Sequence, residues 1–575
     1  MAADLILENG VVYTVDGDRS RCEALAVEDG RIVAVGAAAA VAEHRGRRTL
    51  TVDLGGRLVL PGFIDAHLHP KYATSELFEV DLAGCHSTRD CLDAVARFVA
   101  EHPAGAAVRG YGWFPTEVPE DEMTATALDD VVADRPVVLT DDSVHSQWLN
   151  GAALRLVGLG VGAKPDWDGA VIERLPDGSP SGLLREAWPW VERALPDYDE
   201  DARMTGLRHF QRRIAARYGL TTVHEAGVYP GEPTIEAYRH LREEGELAVR
   251  CRISLMLDPD RPLDEQIDAA VEERARHTDL LMRTGAVKLF ADGVIESHTG
   301  YLAEPYADRP GFRGVPIWEP DRFVAASVAA AAAGFQLHYH AIGDAAVALS
   351  LDAIAAARRS GAARVGESGR ARRAARGEAA SGALPARPGR DLITHLQLVD
   401  PRDYERMAAL GVVAATQPYW FAKDALYDRT IYRPFLGERR AAHQYPMKSL
   451  FDHGVTVAAA SDYPVSPPPD PLLAIQRGAL RRDPMVPESS SELWPDEAVT
   501  VEQLIAAFTI NGAYANFLEH ETGSLEVGKS ADLVVLSGNI LEIPVEHMHE
   551  AEVELTLFGG RPTFAGGPFA GLTVD

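Results

Sequence analysis

Apolar and polar positions alternate with period two near both ends of the chain, and longer apolar runs separated by helical segments fill the middle. Residues 4–57 break into short β-rich pieces, Asp4-Leu-Ile-Leu-Glu-Asn-Gly-Val-Val-Tyr-Thr-Val and Ala24-Leu-Ala-Val-Glu-Asp-Gly-Arg-Ile-Val-Ala-Val. The dipeptides Asn9-Gly10 and Asp29-Gly30 predict hairpins, because the tight turn needs residues that tolerate positive φ. The far end has the same texture: Gly523-Ser-Leu-Glu-Val-Gly-Lys-Ser-Ala-Asp-Leu-Val-Val-Leu, then Val553-Glu-Leu-Thr-Leu-Phe-Gly-Gly-Arg-Pro-Thr. Two β-rich ends, 1–57 and 523–575, are expected to pair as one β-sandwich closed by both termini.

Between them eight strand-like runs recur: Leu58–His69, Gly219–Gly227, Val249–Leu257, Thr284–Asp292, Phe335–His340, Leu392–Leu396, Val412–Thr416 and Val455–Asp462. Interleaved with Ala-rich helices, they predict an α/β fold, a (β/α)₈ TIM-like barrel over 58–75 plus 205–522. About 150 residues separate the first run from the second, which places an inserted module at 76–204. Residues 358–390 differ in kind. They hold nine Arg against two Glu and few large apolar residues, a composition that cannot bury a core and reads as a disordered or mobile loop within the barrel.

Composition then narrows the classes. At 575 residues, with 46% hydrophobic and 25% charged, the chain is a soluble globular type with more than one domain. The formal net charge of −29 argues against nucleic-acid binding, which needs a basic footprint. The four cysteines, Cys22, Cys85, Cys91 and Cys251, make neither a metal-binding pair nor a disulfide framework. There is no basic leader followed by an apolar run and no stretch of about 20 apolar residues, so a cytoplasmic protein without membrane attachment is expected.

Candidate chemistry sits at the ends of the runs. In Leu60-Pro-Gly-Phe-Ile-Asp-Ala-His67-Leu-His69, period-two alternation turns His67 and His69 to one side, two imidazoles for one divalent metal. Alone, two structural histidines would explain the pair equally well. Val287-Lys288-Leu-Phe-Ala-Asp-Gly buries a lysine, which must be paired, for instance with Asp292, or neutralised, for instance as a carbamate with carbon dioxide. Phe335-Gln-Leu-His338-Tyr-His340 offers a second alternating pair, Ile393-Thr-His395 a further histidine, and Ala459-Ala-Ser-Asp462 an acid. Their spread over separate strands is hard to obtain from packing alone.

These segments, with Gly219-Leu-Thr-Thr-Val-His-Glu-Ala-Gly, His340-Ala-Ile-Gly-Asp and the Gly523–Leu536 motif, resemble the amidohydrolase superfamily and its amidohydrolase-3 branch, which includes N-substituted formamide deformylase-like proteins. The resemblance runs over nearly the whole length. It implies His67 and His69 as ligands of the inner metal, Lys288 as a carboxylated bridge, His340 and His395 as ligands of a second metal, and Asp462 as both ligand and general base. His340 is preferred to His338 because it directly precedes Ala-Ile-Gly-Asp. One or two divalent ions, with zinc foremost, would activate a water for hydrolysis of a non-peptide C–N bond in an amide, formamide or cyclic amide.

The segment Ser297-His298-Thr299-Gly300 departs from the family, where many relatives carry an arginine and Thr-Ala. Substrate contacts are expected from the insertion, with His145 as a donor and Trp148 as an apolar wall, although a capped helix start with a packed Trp explains that segment as well. Trp113 and Tyr419 are further wall candidates. His224 and His338 are expected to orient ligands. The expected partners are a small-molecule substrate and, for a closed symmetric assembly, a second copy in a homodimer. Two other functions fit the same sequence: a mononuclear deaminase of an aromatic or heterocyclic ring, and a non-catalytic binding protein on the same fold.

Overall fold

The computed structural model describes residues 2–103, 105–114, 118–141, 146–162, 171–185, 187, 190–191, 194–373, 389–424, 427–466, 468–486 and 491–572. Two compact units emerge: Met1–Pro70 with Arg208–Asp575, and Lys71–Leu207. The first unit contains an eight-stranded parallel sheet. Its strands are β1 (Phe63–Leu68), β2 (Leu220–Val228), β3 (Arg250–Met256), β4 (Met282–Phe290), β5 (Gln336–Ala341), β6 (Leu392–His395), β7 (Val413–Thr416) and β8 (Thr456–Ala459), each hydrogen-bonded to the next in chain order.

Helices return the chain between strands, among them Pro233–Glu243, Leu263–Arg276, Pro320–Ala332 and Pro471–Leu480. Three of these start with proline at their first position, where the missing N–H costs nothing. The sheet closes on itself just past the end of β8. The Asp462 N–H donates to the His67 carbonyl (2.9 Å), and the His69 N–H donates to that of Tyr463 (2.8 Å). Below them the buried Asp65 carboxylate accepts from the Ser461 N–H at 3.1 Å. This is the TIM-like barrel that the eight apolar runs predict.

One run divides in a way that period-two reading could not show. Leu58–His69 forms two strands, Leu58–Pro61 and β1, and they belong to different sheets. Leu58–Pro61 is the fourth strand of a six-stranded sheet ordered Arg561–Ala565, Val553–Phe558, Leu533–Leu536, Leu58–Pro61, Val11–Tyr13 and Arg21–Cys22. A second sheet orders Arg31–Gly36, Ala24–Glu28, Leu5–Glu8 and Leu50–Asp53. Leu7, Leu25, Val59, Val535 and Leu555 from both sheets share one apolar core. Asp29-Gly30 makes the expected hairpin, with both residues at positive φ and Glu28 opposite Arg31. Asn9-Gly10 does not. Only Asn9 is left-handed there, and the turn carries the chain from one sheet to the other, Glu8 pairing Asp53 and Val11 pairing Leu58.

Helix Asp344–Arg373 runs past Arg358 into the stretch that composition marked as loop. The first part of 358–390 is therefore helical, as its alanines and arginines favour, while 374–388 lie outside the described residues. Lys71–Leu207 has its own six-stranded sheet, ordered Val171–Arg174, Pro180–Arg185, Ser146–Leu149, Val137–Asp141, Val108–Trp113 and Val80–Asp81. Among the described residues no helix is long and apolar enough to cross a membrane.

Candidate metal centre

Barrel strands present alternate residues inward, and side chains at their C-terminal ends converge where such folds carry chemistry. His67 lies near the end of β1, His69 follows it, and Asp462 lies three residues past β8. Their donor atoms all fall within 4.8 Å of one another. The Asp462 Oδ1 stands 3.4 Å from Nε2 of both His67 and His69. Lys288, fully buried on β4, places Nζ 3.3 Å from His67 Nε2. The rings of His340 and His395, at the ends of β5 and β6, are 4.4 Å apart, and the His395 ring is 5.1 Å from that of His67. The six residues form one connected group, with His67, His69 and Asp462 as its tightest part.

The backbone is bent to aim these groups. His395, Leu396 and Asp462 adopt φ of 74°, 52° and 58°, a left-handed region that costs side-chain-bearing residues on the order of 1–3 kcal/mol. Two of these three are metal-ligand candidates.

The chemistry of the donor set fits a divalent cation. Burial, followed by the Lys288 charge, holds His67 well below its ordinary pKa, and burial pushes His340 down to about 3. These imidazoles are therefore neutral, as ligation requires. Each also has one nitrogen engaged by a neighbour. His67 uses Nδ1 toward His338 Nε2 (2.7 Å), His340 uses Nε2 toward the Gly293 carbonyl (3.1 Å), and His395 uses Nδ1 toward Gln417 Oε1 (3.2 Å). Where the engaged nitrogen faces an oxygen acceptor, as in His340 and His395, a neutral ring keeps its other nitrogen as a lone-pair donor. Burial lowers Lys288 to about 7, partly opposed by Asp462, so its neutral amine is accessible near neutrality.

The other sequence-level candidates fall elsewhere. His338 shares the inward face of β5 with His340 but lies beside His67, and His224 bonds Ser254 Oγ at 2.8 Å. Trp113 and Trp148 are fully buried in the apolar core of the Lys71–Leu207 unit, where Trp148 Nε1 donates to the Thr124 carbonyl. Both indoles pack into that core, as the packed-Trp alternative for the Trp148 segment expects. Tyr419 is also buried, edge-on to Phe508. Its neighbour Trp420 meets the centre instead, stacked on His395 at 5.6 Å and 17°, and Phe290 lies against His340 at 4.8 Å. His145 lies outside the described residues.

The structure adds groups that the motif reading passed over. Asp65, pushed up to about 7 by burial, ties β1 to the segment after β8. The buried Glu225 stands 3.9 Å from His69 Nδ1 and accepts from Tyr238 Oη. Ser254 joins His224 to His338. The acid and hydroxyl inside apolar strands were the available signals, since a buried polar group needs a partner. In the departing segment, His298 pairs with Asp308 at 2.8 Å and packs on Phe435.

Comparison with known proteins gives a consistent picture. The model of the Amidohydrolase family matches residues 50–564. The protein LONG AFTER FAR-RED 3 of Arabidopsis thaliana is 29% identical over 98% of this chain and 92% of its own length. The N-substituted formamide deformylase of Arthrobacter pascens is 29% identical over 97% of each chain. A crystal structure of an uncharacterized metal-dependent hydrolase from Pyrococcus horikoshii OT3 superposes with a TM-score of 0.74 at 22% identity, covering 94% of this chain and 99% of that one.

Proposed function

The chain belongs to the Amidohydrolase family, and from that premise we propose that it hydrolyses a non-peptide C–N bond in a metal-dependent reaction, with an amide, formamide or cyclic amide as substrate. The observation that carries this reading is the convergence of His67, His69 and Asp462 within 4.8 Å at the strand ends. The full-length match to a formamide deformylase favours the formamide class.

In this reading His67, His69 and Asp462 hold the first ion, and Lys288, His340 and His395 extend the site to a second. Zinc suits a set of imidazoles and carboxylate oxygen. A divalent ion supplies Lewis acidity there, polarising the scissile carbonyl and acidifying water from a pKa of about 15.7 towards about 7. Asp462 takes the proton of the attacking water and passes it to the leaving nitrogen. Lys288, as a neutral amine, adds to carbon dioxide: an N–C bond forms, one proton leaves, and the carbamate anion replaces the amine. His224 and His338 orient the ligands from behind. The two terminal sheets form the β-sandwich of this architecture, and residues 76–204 act as its specificity module.

A second reading follows from the same three donors. One carboxylate and two imidazoles are enough for a single ion, as a mononuclear ring deaminase would use. The deciding experiment measures zinc per chain and then screens N-formyl amines, N-acyl amines, cyclic amides and amino-substituted rings. Two ions and turnover of an amide class are expected. One ion with ring deamination would replace the first reading by the second, and metal-loaded protein inert towards every class would overturn both.

A further inference from the structure

The interior of a (β/α)₈ barrel is normally filled by branched apolar side chains, but beneath this centre it holds a row of buried polar ones. His67 Nδ1 meets His338 Nε2 at 2.7 Å, His338 Nδ1 meets Ser254 Oγ at 2.8 Å, and Ser254 Oγ meets His224 Nε2 at 2.8 Å. His338, Ser254 and the His67 and His224 rings are almost wholly buried. An imidazole ligates a metal in its neutral form, with one N–H and one lone pair, and a nitrogen–nitrogen contact of 2.7 Å needs one donor and one acceptor.

One proton per ring makes the direction of these bonds matter. A neutral imidazole has one N–H and one lone pair. If Ser254 donated to His338 Nδ1, the His338 proton would sit on Nε2 and point at His67 Nδ1. His67 would then carry its own proton on Nε2, the nitrogen facing Asp462, where it would block a cation. If Ser254 donates to His224 instead, it accepts from His338 Nδ1–H, His338 accepts from His67 Nδ1–H, and His67 Nε2 is left as a lone pair.

The far end of the row favours the second direction. His224 Nε2 must then be the acceptor, with its proton on Nδ1. Asn516 commits its amide nitrogen to the Gly512 carbonyl at 2.9 Å, which leaves its oxygen beside His224 in the small cavity that both line. His224 Nδ1 and Asn516 Oδ1 are both buried and make no hydrogen bond among the described residues, so a proton on Nδ1 has the Asn516 oxygen as its available acceptor. Arg252, on the same cavity wall, opposes a second proton on that ring.

Building on the metal-centre reading above, we propose that Ser254 is a positioning residue, which fixes the proton of His67 on Nδ1 through His338 and so leaves Nε2 available to a divalent cation. Ser254 touches no metal-ligand candidate itself. The test uses the full chain in two measurements, long-range ¹H–¹⁵N spectra of histidine-labelled, metal-free protein and zinc affinity by chelator competition. The His67 signals are assigned by their loss in His67→Gln. Wild type is expected to show His67 protonated at Nδ1. Ser254→Ala, which removes one oxygen atom, should show mixed His67 tautomers and bind zinc about 10–100-fold more weakly. Ser254→Thr, which restores the hydroxyl, should recover both. A His67 tautomer and zinc affinity in Ser254→Ala equal to wild type would overturn the proposal, as would Ser254→Thr behaving like Ser254→Ala while its metal-free melting temperature matched wild type. If wild type itself bound no zinc, the metal-centre reading would fail, and the spectra alone would still decide the role of Ser254.

Discussion

Lys288 Nζ lies 3.3 Å from Nε2 of His67, with both side chains buried and the Asp462 charge, which His67 also faces, favouring the protonated amine. A permanent ammonium there would repel the cation that the neighbouring imidazoles are built to hold. A carbamate would attract it. Lys288→Ala is therefore expected to lower zinc affinity by about 100-fold or more, and short carboxylic acids added to the variant should restore part of it by standing in for the lost anion. Loss of zinc without any rescue would point to a structural lysine instead. Labelling with ¹³C-bicarbonate should give a carbamate resonance in wild type that is missing from the variant.

Asp462 faces His67 and His69 from a backbone in the left-handed region. Asp462→Asn keeps the shape but removes the charge and the basic oxygen. Its kcat should fall about 10²–10⁴-fold, the usual contribution of a positioned base, with KM moving much less. A variant that kept the wild-type kcat would assign the base to another group.

The barrel was legible in the sequence because eight apolar runs recur with helices between them, several of them ending in polar residues such as His69, Asp292, His340 and Asp462. The division of Leu58–His69 between two sheets was not, because the run stays apolar on both sides of Pro61-Gly62. What separates the strands is a close approach: a Cβ at Gly62 would lie 2.4 Å from both Cγ2 and Oγ1 of Thr221. The metal-ligand candidates stood out because histidine and lysine are conspicuous at the ends of apolar strands. Ser254, Glu225 and Trp420 did not stand out, because what they do depends on neighbours from distant strands. Gly62→Ala should therefore destabilise the barrel by about 1–3 kcal/mol, measured by urea unfolding, and Thr221→Ala in the same chain should recover part of the loss. Equal stability of Gly62→Ala and wild type would show that β1 and β2 can separate without cost.

Asp292 accepts from the backbone N–H groups of Tyr301 (2.8 Å), Ile342 (3.0 Å) and Gly343 (2.8 Å), pinning the loops after β4 and β5. Burial outweighs these three donors and raises its pKa to about 7 from 3.8. Between those values the folded state holds a proton that the unfolded state has lost, so stability falls as pH rises through the window. The contribution is full below pH 3.8 and gone above about 7. In unfolding experiments the stability of wild type minus that of Asp292→Asn should decline across this range, by at most about 1.4 kcal/mol per pH unit. A difference that is flat with pH would mean that the carboxyl stays ionised in the fold.

Trp420 and Tyr419 are adjacent and should respond oppositely to substitution. Trp420 is stacked on His395 and anchored by its Nε1 donating to Ser466 Oγ at 2.8 Å, so it fixes the plane of a ligand candidate. The Tyr419 hydroxyl is buried and makes no hydrogen bond among the described residues. An unpaired buried hydroxyl costs roughly 1–3 kcal/mol, so Tyr419→Phe should leave kcat/KM unchanged and hold or raise the melting temperature. Trp420→Ala frees the His395 ring to turn, and it should lower kcat and zinc affinity together, by about 10–100-fold for the latter. Trp420→Phe, which keeps a flat face over the imidazole but loses the anchor to Ser466, should fall between. If Tyr419→Phe instead raised KM while Trp420→Ala did not weaken zinc binding, the aromatic contact with substrate would belong to Tyr419 and the stacking on His395 would be packing.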